Sequence, residues 1–251
     1  MVSLEAVRKR KKISIILISV GIILIFLICS LVLLASRPKY FSSQYTYDFS
    51  VETTAPLYNA TFFFPIPIQN KSPQLGMKIL TIDIFEKQGY SLDFVTLENI
   101  TFVKISRGVV DPGQEHEYRV EARSGQNSQD SVELGNVINT RNPLGTEPVF
   151  LPKNNISTEQ PVTASYLTWY GIHHNPVLSK YQTMIYADYY TTDKPTVEIY
   201  SRIYGTNSWA ESGTWLENRY IDMYSLTLNG EAHGWHLADG QLTSGEGIYL
   251  N

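Results

Sequence analysis

The run TVEIYSRIYG, residues 196–205, decides the fold class. Val197, Ile199, Ser201 and Ile203 fall on one parity, and Glu198, Tyr200, Arg202 and Tyr204 on the other. Successive side chains of a strand point to opposite faces, so the pattern predicts a strand with one buried and one wet face. YTYDFSVE at 45–52 alternates in the same way, with Tyr45, Tyr47, Phe49 and Val51 on one parity. EHEYRVEAR at 115–123 sets His116, Tyr118, Val120 and Ala122 against glutamates and arginines. The chain holds 17 tyrosines, a strand-favouring residue. Pro, Gly and Asn turns punctuate the runs, and no helical period is sustained among them. A mainly β ectodomain follows, a β-sandwich of one or two units.

The polar stretch 123–161 is rich in Asn, Gly and Pro. It reads as a linker or long loop between a first β unit at 45–122 and a second at 162–251. Upstream, residues 13–35 contain no charge and no proline. As a helix they would extend about 34 Å, enough to cross a hydrocarbon core of roughly 30 Å. They read as an uncleaved transmembrane helix, a signal anchor, that partners the lipid bilayer. Arg8, Lys9, Arg10, Lys11 and Lys12 precede it, and Arg37 and Lys39 follow it. That asymmetry places a tail at 1–12 in the cytoplasm and the rest outside the plasma membrane, beyond a short stalk at 36–44.

Seven of the 20 Lys and Arg and one of the 24 Asp and Glu lie in residues 1–39. Residues 40–251 keep 13 basic and 23 acidic groups, a formal charge of −10. That charge excludes nucleic acid as a bulk-charge partner. The only cysteine, Cys29, sits in the apolar segment. The exported part therefore has neither a disulfide nor a cysteine nucleophile, a usage that suits a prokaryotic envelope. Asn59, Asn70, Asn99 and Asn155 head Asn-x-Ser/Thr sequons and are glycosylation candidates.

Motifs of known chemistry are missing: no nucleophile elbow, phosphate loop, dinucleotide fingerprint or His-Glu-x-x-His helix occurs. Five histidines remain. His116 lies on an apolar parity and reads as a core residue, while His173 and His174 are adjacent and point oppositely in a strand. GEAHGWHLADG, residues 230–240, concentrates His233 and His236 beside Trp235. An odd spacing separates the two imidazoles in any extended conformation. The stretch reads as a tight turn, a short reversal or hairpin arm bracketed by the turn signals Asn229-Gly230 and Asp239-Gly240, with Trp235 sealing the end of the core. No metal or cofactor is expected. Tyr200, Tyr204, Trp209 and Trp215 form a possible ligand platform, since stiff aromatics stack on sugar rings.

YADYYTTDKPTVEIYSRIYGTNSWAESGTW at 186–215, GEAHGWHLADG, and YNATFFFPIPIQN at 58–70 resemble a group of uncharacterised archaeal membrane-anchored envelope proteins with β-rich ectodomains. That group has no established activity, so the resemblance implies no functional residues. Three functions stay open. The first is a non-enzymatic module that binds or scaffolds another envelope protein. The second is a glycan-binding module using the Tyr/Trp platform. The third is a metal-assisted hydrolase using the histidine clusters.

Overall fold

A computed structural model describes residues 4–35, 40–69, 72–73, 76–77, 80, 89–113, 117–124, 132–133, 149–159, 166–168, 171–211 and 214–249. The chain opens with α1 (Leu4–Ala35) and continues as strands. The first group is β1 (Tyr40–Thr53), β2 (Leu57–Pro65), β3 (Pro67–Ile68), β4 (Ser91–Leu97) and β5 (Ile100–Val110). Then come β6 (Glu117–Ser124), β7 (Val132–Glu133), β8 (Val149–Phe150), β9 (Asn154–Glu159), β10 (Tyr166–Thr168) and β11 (Gly171–His174). Four long strands finish it: β12 (Val177–Tyr190), β13 (Thr196–Glu211), β14 (Thr214–Asn229) and β15 (Ala232–Tyr249).

Among the described residues thirteen strands join one sheet, whose main path runs β4-β5-β2-β12-β15-β14-β13-β1-β6-β7. β3 and β8 form a separate pair. Among the described residues all strand pairings are antiparallel except β6 with β7. Strands of the expected first and second units are therefore neighbours: β1 pairs with β13 over its whole length, and β2 with β12. The stretch expected as a stalk already belongs to β1 from Tyr40, and the expected linker contributes β8 and β9. The hydrogen-bonding demand of both edges is the physical reason: β1 pairs with β6 on one edge and finds its longest partner, β13, in the C-terminal half, and β2 pairs with β5 on one edge and with β12 on the other.

The sheet curls on itself. Between β1 and β2 lie four strands, so a flat sheet would separate them by about 24 Å. Yet the rings of Phe49 on β1 and Phe64 on β2 are 4.4 Å apart. One buried cluster fills the space between, including Tyr45, Tyr47, Phe62, Ile185, Tyr189, Ile199 and Tyr224. The alternation in 196–205 is realised as expected: Val197, Ile199, Ser201 and Ile203 are buried, and Tyr200 and Tyr204 lie on the other face. Two glycines make room for inward rings. Gly205 pairs with Tyr220 and Gly240 with Tyr181, and a Cβ at either glycine would collide with the ring opposite.

A charged latch sits inside. Asp222 is fully buried and accepts hydrogen bonds from Tyr181 Oη (2.6 Å), the Phe150 backbone N–H (2.8 Å) and Lys153 Nζ (2.6 Å). Lys153 Nζ also donates to the Phe150 carbonyl at 2.9 Å and lies 3.8 Å over the Tyr181 ring. Burial pushes the Asp222 carboxyl up and the Lys153 amine down, each opposed by the other's charge. The segment 149–153 is thereby pinned, with Phe150 packed against Tyr47 and Tyr224.

Candidate binding face

The register of β12 against β15 builds a ladder on the outer face. Its outward pairs are Asp188 with His233, Tyr186 with Trp235, Met184 with Leu237, and Gln182 with Asp239. GEAHGWHLADG is thus a hairpin arm, the start of β15, and not a tight turn throughout. Only its first residues reverse the chain, at Asn229-Gly230, where Gly230 has a φ of 78°. Asp239-Gly240 lies inside the strand, because Gly240 is needed opposite Tyr181 rather than at a corner.

Trp235 does not seal the core. It points outward, is 39% exposed, and joins three other rings. Phe63 stacks on Tyr186 with centroids 4.7 Å apart. Trp235 meets Tyr186 edge-on at 5.5 Å, Phe63 at 6.1 Å and Phe102 at 5.2 Å. An aromatic cluster has formed on the wet face of the sheet. Leu237 beside it is 53% exposed.

A seam in the sheet opens a groove here. β2 pairs with β12 up to Phe63 opposite Tyr186 and ends at Pro65, and a proline has no N–H to continue a ladder. β9 takes up the same edge of β12 from Asn154 opposite Gln182. Between them lies a groove of about 410 Å3 whose walls include Leu97, Ile100, Phe102, Pro152, Met184 and Trp235. Pro152 reaches the groove from the segment that Asp222 pins, so the internal latch fixes one wall.

Charged groups flank the aromatic level. His233 Nδ1 is 2.7 Å from Asp188 Oδ1, and its Nε2 is 3.7 Å from Glu231 Oε2. The hydrogen bond to Asp188 chiefly raises the His233 pKa, with Glu231 adding to it. The two carboxylates thus shift the ring's balance toward the imidazolium form. On the other side Gln182 Nε2 donates to Asp239 Oδ1 at 3.3 Å. Asp239 also borders a second basin of about 470 Å3 lined by Lys180, Tyr200, Met223, Ser225 and Gln241.

The residues expected as a platform do not converge. Tyr200 and Tyr204 face outward, but Trp209 lies on the opposite parity and is fully buried. Trp215 is 69% exposed near the far end of β14 and lines a separate pocket with His173 and Arg219. His236 points inward, away from His233, as its odd spacing required. Among the described residues no group of three or more His, Cys, Asp or Glu side chains is placed to hold a metal ion. Asn59, Asn99 and Asn155 are exposed, each at a positive φ; Asn155 Nδ2 donates to Gln182. Asn70 and His116 lie outside the described residues.

Sequence reasoning missed Phe63, Phe102, Met184 and Leu237. One signal was present: FFF at 62–64 breaks alternation, which places an aromatic on each face of the strand. No protein-family model matches the chain, and no curated protein and no solved structure matches it either.

Proposed function

We propose that the chain is a single-pass membrane protein of an archaeal cell envelope, whose curled sheet is an extracellular sandwich acting as a non-enzymatic binding module. The observation that carries the binding role is the aromatic cluster on the outer face, where Trp235 and its neighbour Leu237 stand exposed over half-buried Phe63 and Tyr186 and buried Phe102. Rings of this size are ordinarily drawn into a core, and a contiguous apolar patch left at the surface marks an interaction site.

The anchor rests on α1. Large apolar side chains from Leu17 to Val32 are 52–71% exposed. A helix apolar on every side calls for burial or for lipid. Among the described residues no helix is long and apolar enough to cross a membrane; the side chains described are those of 17–32, sixteen residues. The proposed span adds the uncharged sequence on either side, 13–35. The five-to-two excess of basic residues supports a cytoplasmic N-terminus. The resemblance of residues 186–215 to archaeal envelope proteins supplies the setting, and the exposed sequons Asn59, Asn99 and Asn155 suit a glycoprotein.

A photo-crosslinking amino acid placed at Leu237 of the full chain, in intact cells, tests the binding role. A discrete adduct is expected, lost when Trp235→Ala is added. If illumination yields no adduct, or one indifferent to Trp235, the outer face is not a binding face.

A further inference from the structure

We infer, building on the binding role above, that the β12–β15 strip around Trp235 takes a short neutral glycan. The strip is an ordered sequence of chemistries along the strands. Asp188–His233 comes first, then Tyr186–Trp235, then Met184–Leu237, then Gln182–Asp239. Two apolar levels are bracketed by two polar ones. From Asp188 to Gln182 is six residues, about 20 Å along a strand.

A sugar ring has the same alternation of chemistry. Its C–H face is apolar and stacks on an aromatic ring, while hydroxyls at its rim need donors and acceptors. Trp235, met edge-on by Tyr186 and at a tilt by Phe102, is a half-exposed stacking surface. Hydrogen-bonding groups stand ready at both ends. Asp188 is already oriented by His233, and Asp239 by Gln182. Their oxygens keep further lone pairs for hydroxyls.

Size argues against a protein partner. Two strands at about 4.8 Å spacing give a strip near 10 Å wide and 20 Å long. That is about 200 Å2, against about 800 Å2 per partner in a stable protein interface. Charge narrows the glycan. Glu98 lines the groove, Asp188 and Asp239 stand in the strip and Glu231 beside it, four carboxylates against the one His233 ring. Residues 40–251 carry −10, so uronic or sialic acids are repelled and neutral sugars are not.

The test uses the full chain in a phosphocholine detergent, which brings no sugar of its own. Cellotriose, mannotriose and chitotriose are titrated by calorimetry, with trigalacturonic acid as the anionic probe. At least one neutral trisaccharide is expected to bind and the anionic one not. Trp235→Ala should weaken that binding by about tenfold or more. Leu237→Asn, at a side chain 53% exposed, should also weaken it, and Trp215→Ala should leave it unchanged. The inference is overturned if no neutral trisaccharide binds, if trigalacturonic acid binds as well as they do, or if Trp235→Ala and Leu237→Asn bind like the parent chain. Failure here with the Leu237 adduct still dependent on Trp235 removes the glycan and leaves the binding face; loss of both removes the face itself.

Discussion

Gly205 and Tyr220 show how much one hydrogen atom decides. Their residues are directly paired, and the tyrosine ring lies where a side chain at 205 would stand. Tyr220 is almost fully buried, so its ring has nowhere else to go. Gly205→Ala should therefore destabilise the protein by about 1–3 kcal/mol through overpacking. Gly108 in β5 is the control: nothing lies within 4 Å of a Cβ there. Gly108→Ala should be neutral or slightly stabilising, because alanine loses less chain entropy on folding than glycine. Urea unfolding of the two variants measures the contrast, and equal midpoints would contradict this account of the pair. The parity of 196–205 is visible in the letters; the need for glycine at 205 is not, because it depends on a ring from another strand.

At the level of elements, β15 explains both what was legible and what was hidden. Its alternation separates His233 from His236, and that much follows from spacing. The Asn229-Gly230 turn was legible for the same local reason. Asp239-Gly240 carries the same kind of turn signal, yet sits mid-strand because Tyr181 across the ladder claims the space. Trp235 looked like core because large rings usually are, but its parity is outward and FFF at 62–64 supplies the ring that shelters it. Trp209 failed as a platform residue for the opposite reason: it is odd-numbered on a strand whose odd positions face in. The latch on segment 149–153 had no sequence signal, since Asp222 and Lys153 are 69 residues apart. Removing one partner of such a buried pair is costly. Asp222→Ala should lose about 3–5 kcal/mol, and Lys153→Met together with Asp222→Ala should cost less than the two single changes summed. Chemical denaturation of the three variants checks this, and strict additivity would mean the pair does not act as a unit.

For the whole molecule, the decisive property is a core that takes in six tyrosines among the described residues. Burial pushes the Tyr189 hydroxyl from 10.0 up to about 12, and it raises Tyr47, Tyr181 and Tyr224 as well. The unfolded chain releases these protons near pH 10, while the folded chain holds them to higher pH. Their contribution to stability is therefore complete below the unfolded value and is lost as pH rises toward 12. Tyrosinate absorbance and circular dichroism followed from pH 9 to 12 should change together, in one cooperative step. Gradual ionisation with the sheet intact would show that the rings are reachable without unfolding. The interleaved sheet also sets a timetable for manufacture. Tyr47 in β1 pairs with Ile203 in β13, 156 positions later. At about 5–20 residues per second, a ribosome needs roughly 8–30 s to supply the second after the first. For that interval one whole edge of β1 stands open, already synthesised and without its longest neighbour. A nascent chain of this protein thus passes through an obligatory adhesive stage, and its yield in any host depends on what shields that edge until the last strands emerge.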